Sequence, residues 1–232
     1  MKTIGLIGGM SWESSAEYYR LTNLLAKERV GGHANAKSLM LTVNFAEIEA
    51  LQRAQDWDRM GADMQAAAHK LEAGGADCIV LCTNTMHKVA DGIRAAVSIP
   101  LLHIADATAN AAKQRRMSTV GLMGTRFTME DGFYHHHMQA NHGLQIKTPH
   151  FDDRELIHKA IYDELCQGLL REESRDEFRR IMRQLAQEGA EGIILGCTEL
   201  SLLLKQEDAP VPLLDSTRLH VRAAVDFAMS DS

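Results

Sequence analysis

No apolar run in this 232-residue chain approaches the ~18 residues that a membrane-spanning helix requires, which argues against a membrane protein. Basic charge is not concentrated anywhere. The 25 Lys and Arg are scattered among 31 acidic residues and the net charge is −6, so the electrostatic footprint of a nucleic-acid or anionic-membrane binder is missing. Cysteine is sparse, with residues at 78, 82, 166 and 197 only. They show neither the dense spacing of a disulfide scaffold nor the paired spacing of a structural zinc site, which points to free thiols in a reducing cytoplasm. The start of the chain runs quickly into Gly8-Gly9 and lacks the long apolar core and cleavage site of a signal peptide. Glycines at 5, 8 and 9 do not make the G-x-G-x-x-G order of a dinucleotide loop, and there is no P-loop. The run His135-His136-His137, with His142 and His150, is not read as a metal site, because consecutive histidines on a helix point in different directions.

What is present is ordinary for a globular protein: 45% apolar and 24% charged residues. Short apolar runs alternate with longer amphipathic stretches. Residues 3–7, 38–43, 78–82, 100–104, 119–123, 192–195 and 211–214 read as buried strands. Residues 12–29, 58–71, 88–96, 105–113, 154–167 and 174–188 read as helices, with Gly31, Gly74 and Gly189 placed where a helix C-terminus favours positive φ. This alternation predicts an α/β fold with parallel sheets covered by helices, and a ligand outside the C-terminal strand ends.

The chain also resembles itself. Thr3-Ile4-Gly5-Leu6-Ile7-Gly8 matches Thr119-Val120-Gly121-Leu122-Met123-Gly124. Gly75-Ala76-Asp77 before Ile79-Val80-Leu81 matches Gly189-Ala190-Glu191 before Ile193-Ile194-Leu195, and Ile99-Pro100-Leu101-Leu102 matches Val211-Pro212-Leu213-Leu214. The offsets of 116, 114 and 112 residues relate the halves by one register. Two similar lobes are therefore expected, related by pseudo-twofold symmetry and sharing a cleft: residues 1–100 plus 213–232, the latter a returning C-terminal helix, and residues 101–212.

The two most distinctive segments occupy matched places in the repeat: Leu81-Cys82-Thr83-Asn84-Thr85-Met86-His87 and Leu195-Gly196-Cys197-Thr198-Glu199-Leu200. Each follows a strand, at the mouth of a helix whose free N–H groups favour a carboxylate and would lower a thiol's pKa. With the Gly5-Leu6-Ile7-Gly8-Gly9-Met10 start, these segments resemble the aspartate/glutamate racemase family over nearly the whole chain. That family has a first motif of Cys-Asn-Thr, an apolar residue and His, and a second of Gly-Cys-Thr-Glu. Glu199 looks like the aspartate-type branch. The resemblance implies a racemase that works on a small amino acid, aspartate or glutamate, by a two-base mechanism without pyridoxal phosphate or other cofactor. It also implies a homodimer, and a Cys197 thiol facing the L substrate.

The first motif departs from the family pattern. Anchoring on Asn84, Thr85 and His87 puts the family's cysteine at Thr83, and the internal repeat agrees, because Gly189 to Cys197 and Gly75 to Thr83 are both eight steps. Neighbours on a strand point to opposite faces, so Cys82 is an alternative base only if a bulge rotates it. A threonine hydroxyl does not ionise near neutrality, so the expected site is lopsided, with Cys197 the main base and Thr83 a weak counterpart. Met10, Gln52, Asn84, Thr85, Thr125, Thr198 and Glu199 are the expected substrate-binding residues, while Ser11 is better read as a helix cap and His87 as a satisfied polar residue. Aspartate-specific relatives grip the distal carboxylate with a Lys where this chain has Cys166, and with a second group near Gln52-Arg53. A broad-specificity racemase, or a related single-thiol decarboxylase or isomerase, is the alternative.

Overall fold

The computed structural model describes residues 1–230 and divides into two compact units: Met1–Ile104 with the chain from His220 onward, and Ala105–Leu219. Each unit holds one all-parallel, four-stranded sheet. In the first, β1 (Ile4–Gly8), β2 (Ser38–Thr42), β3 (Cys78–Leu81) and β4 (Leu101–Leu102) run in the order β2-β1-β3-β4. In the second, β5 (Thr119–Met123), β6 (Gln145–Lys147), β7 (Ile193–Leu195) and β8 (Leu213–Asp215) run β6-β5-β7-β8. The second order repeats the first strand for strand.

Period-2 alternation builds the core of the first unit. Ile7, Ile79 and Leu81 pack on one face of the sheet against Met60, Met64 and Leu71 of α3 (Trp57–Ala73). Ile4, Leu6, Cys78, Val80 and Cys82 pack on the other, against Tyr18 and Ala26 of α1 (Trp12–Val30) and Val221, Ala224 and Val225 of α11 (Ser216–Met229). Every residue of β1 and β3 is buried, as expected of strands covered on both faces. α2 (Phe45–Ala54) and α4 (Ala90–Ala96) complete this unit. In the second unit α5 (Ile104–Gln114), α6 (Arg126–Glu130), α7 (Phe133–His142), α8 (Phe151–Asp163), α9 (Glu172–Gln187) and α10 (Leu200–Leu203) surround the sheet, α5 beginning one residue before the unit boundary. Among the described residues no helix is long and apolar enough to cross a membrane.

Several expectations need correction. The boundaries at 100/101 and 212/213 both cut a strand from its sheet: β4 pairs with β3, and β8 pairs with β7, so the units divide after Ile104 and after Leu219. Gly74 has φ −77; the positive φ of +92 falls on Gly75. The expected helices 88–96 and 154–167 are each part 3-10 turn, at Thr85–Val89 and Leu165–Gln167. β6, α2 and α6 were not expected, β6 because it carries no apolar run; the histidine run is helical in α7, and a helix of only four residues, α10, follows Glu199.

Candidate active site

In the first unit the polar segments gather beyond β1 and β3, which are neighbours in the sheet. Gly9 has φ +90, and a Cβ there would lie 2.1 Å from the Val43 carbonyl oxygen, so only glycine lets the chain turn here. Gly9 N donates to Ser15 Oγ at 2.7 Å, and Ser11 accepts from Ser14 N at 3.2 Å as the N-cap of α1, the capping role expected of it. Met10 beside it is buried and belongs to the core cluster of α3.

Beyond β3, Cys82 and Thr83 part company. Cys82 is wholly buried among Ile4, Leu6 and Val80, and burial pushes its thiol pKa far up. No bulge turns it outward. It is a core residue, which argues against the alternative base. Thr83 is half-buried, followed by the buried Asn84 and Thr85 in the 3-10 turn. Its carbonyl is held by His87 Nδ1 at 2.8 Å, while His87 Nε2 accepts from Ile104 N at 3.2 Å. A carbonyl can only accept and a backbone N–H can only donate, so His87 is fixed as the neutral Nδ1–H tautomer. It holds the segment in place and has no lone pair left for a base. Gln52, on α2, is buried with its amide 4.0 Å from Met86 Sδ, so it does join this segment. Arg53 does not: it is exposed and paired with Glu49 at 2.5 Å.

The second unit has its own strand-end crossing. Gly196 N donates to the Met123 carbonyl at 2.7 Å, and a Cβ on Gly196 would lie 3.0 Å from that same oxygen. Ser216 Oγ holds the Leu195 carbonyl at 2.7 Å, a support that no sequence signal marked. The close approach presents Cys197 beyond β7. Its Sγ–H donates to Glu199 Oε2 at 2.9 Å. Burial first, and then the adjoining Glu199 carboxylate, hold this thiol well above its ordinary pKa, with Cys166 adding to the push. The expected lowering by a helix N-terminus is therefore reversed, because burial and the Glu199 carboxylate outweigh it. Glu199 is 5% exposed and acts on the thiol directly, a role beyond the substrate binding expected of it. Thr198 is half-buried between them. The Thr125 hydroxyl caps α6, accepting from Thr128 N at 3.4 Å and pairing with Thr128 Oγ1 at 3.2 Å.

The first unit thus offers a half-buried hydroxyl on a segment anchored by a neutral histidine, and the second a protonated thiol with a carboxylate to receive its proton. A hydroxyl and a thiol–carboxylate pair suit proton transfer at carbon.

Comparison with known proteins gives a consistent picture. A family model described as Asp/Glu/Hydantoin racemase matches residues 7–224. The broad specificity amino-acid racemase RacX of Bacillus subtilis (strain 168) is 25% identical over 178 residues, 73% of each chain. A candidate Asp/Glu racemase from Yersinia pestis, solved by crystallography, is 50% identical with a TM-score of 0.94 over 99% of this chain and 100% of that one. The crystal structure of an aspartate racemase homologue from Pyrococcus horikoshii OT3 is 33% identical with a TM-score of 0.88, again over 99% and 100%.

Proposed function

The chain belongs to the Asp/Glu/Hydantoin racemase family, and on that premise we propose that it racemises an acidic amino acid, aspartate or glutamate, without pyridoxal phosphate. Cys197 is the principal acid/base. Its proton passes to Glu199, the thiolate takes the Cα proton of the L enantiomer, and the Thr83 hydroxyl returns a proton to the opposite face; Glu199 then gives its proton up to solvent and Thr83 recovers one from it, which restores the resting thiol and carboxylate. The reading requires the two strand-end segments to meet one substrate from opposite sides. The observation that carries it is the 2.9 Å hydrogen bond from Cys197 Sγ to Glu199 Oε2, which gives the thiol proton an acceptor before substrate arrives. All four cysteines are free, in keeping with a cytoplasmic location, and a homodimer is proposed with it.

A broader substrate range is the second reading. Cys166 stands where aspartate-specific relatives place a lysine, and Arg53 is turned to Glu49, so neither supplies a cation for a distal carboxylate.

Exchange of the α-proton in D₂O, followed by NMR with no cofactor added, tests the proposal. L-aspartate or L-glutamate should exchange, at a rate cut by about 10²–10⁴-fold in Cys197→Ser and altered only a few-fold in Cys82→Ser. Exchange of neutral amino acids at equal rates would favour the broad reading. Full activity in Cys197→Ser, or release of CO₂ from a substituted malonate without amino-acid exchange, would overturn it.

A further inference from the structure

The peptide between Leu195 and Gly196 is held at both ends. Its N–H donates to the Met123 carbonyl of β5 at 2.7 Å, and its C=O accepts from Ser216 Oγ at 2.7 Å. Ser216 is wholly buried and Leu195 is 2% exposed, so the hydroxyl bond forms away from solvent. Ser216 is also the first residue of α11, one step beyond β8, and the register of β7 with β8 ends on the pair Leu195 and Asp215. The hydroxyl therefore takes over the Leu195 carbonyl where β8 has run out.

The position calls for such a tie. Gly196 suits the close approach to β5, where a Cβ would lie 3.0 Å from both Leu122 Cδ1 and the Met123 carbonyl oxygen. A glycine restrains its own φ less than any other residue, and turning the Leu195–Gly196 peptide needs only ψ of Leu195 and φ of Gly196 to change. The next residue is Cys197, whose thiol stands 2.9 Å from Glu199 Oε2. Rotation of the peptide swings that side chain, and a hydrogen bond weakens steeply once its angle is lost.

The first unit has the same arrangement with different chemistry. Cys82 N donates to the Ile7 carbonyl at 2.9 Å, the bond that matches Gly196 N to Met123. His87 then carries the segment onward from the Thr83 carbonyl to Ile104 N, at the first residue of α5. Ile104 and Ser216 are 112 residues apart, the offset that also relates residues 99–102 to 211–214. Both halves thus tie the polar segment after their third strand to the first residue of the helix after their fourth.

We propose that Ser216 is a positioning residue for Cys197: by holding the Leu195 carbonyl it sets the thiol on Glu199, a role that rests on the racemisation proposed above. Ser216→Ala should lower kcat for α-proton exchange of L-aspartate by about 10–10²-fold, with KM moved less than about threefold. With the thiol released from the Glu199 carboxylate, the pH curve of iodoacetamide alkylation, read by mass spectrometry on the Cys197 peptide, should move to lower pH. A role in stability alone would lower Tm and leave that curve in place. Ser216→Thr and Ser216→Val are matched in size and separate the hydroxyl from the volume. Thr should behave as wild type and Val as Ala, which keeps the test open if Ala folds poorly. Alkylation needs no substrate, so a wild type that exchanges no amino acid would overturn the function and leave the curves to decide Ser216. Exchange intact in Ser216→Ala, an unmoved curve, or equal curves for Thr and Val would overturn the role of Ser216.

Discussion

The proton on Cys197 decides which half of the proposed reaction the thiol can perform. A thiolate removes the Cα proton; a thiol returns one. Burial and the Glu199 carboxylate both favour the thiol, so the resting site is set as an acid, and the base forms only as Glu199 takes the proton. Activity that starts from the thiolate should rise with pH across the neutral and alkaline range, since the thiol's pKa is raised. Replacing Glu199 with Gln removes the like charge while keeping the side chain's shape. The thiol pKa should then fall, and the pH curve of iodoacetamide alkylation at Cys197 should move to lower pH. A curve that stays in place or moves up would detach Glu199 from the thiol. The sequence identified Cys197 and Glu199, but not that one acts on the other. It also implies a lowered pKa, because a strand end before a helix is visible in the sequence while the burial and the Glu199 contact that raise it are not. The parting of Cys82 from Thr83 was legible, since strand alternation puts neighbours on opposite faces and Cys82 shares its face with Cys78 and Val80.

At the scale of elements, the strand ends work because small residues and fixed hydrogen bonds set them. His87 ties the turn after β3 to the start of α5, with one ring nitrogen on each. His87→Ala would strand the buried N–H of Ile104, at about 1–3 kcal/mol, and free the part-buried Thr83 carbonyl. It should lower the urea midpoint and slow racemisation more than it slows exchange of the L substrate, because it frees the Thr83 segment and leaves Cys197 untouched. Equal losses in both rates would reduce His87 to a structural role. The spacing of Thr83 to His87 gave no hint of this link, because Ile104, its second partner, is 17 residues further along the chain. The strands of the interior were legible as apolar runs. β6, at the sheet edge with a polar sequence, was not, because little apolar surface is buried there to leave a pattern.

Across the whole molecule the internal repeat was the most informative signal. The match of residues 99–102 to 211–214 pairs β4 with β8, each the strand beyond the one that leads to the candidate site. Followed consistently, it would have kept each of these strands in its own unit, and it would have moved the positive φ from Gly74 to Gly75, the partner of Gly189. The repeat also marks a departure between the halves, a threonine at the position matched by a cysteine. Because two enantiomers have equal free energy, kcat/KM for racemisation must be the same from either side, so a lopsided site cannot show itself there. It shows in how the deprotonated substrate divides between its two proton donors. A thiol, even one with a raised pKa, is a better acid than a threonine hydroxyl, so protons return mostly from the Cys197 side. The most direct measurement is therefore deuterium incorporation with retention of configuration against inversion, for L- and D-aspartate separately in D₂O. L-aspartate should gain deuterium several-fold faster than it inverts, while D-aspartate should invert at least as fast as it exchanges. The same ratio from both enantiomers would mean two matched bases, and would contradict the assignment of Cys197 and Thr83 to unequal roles.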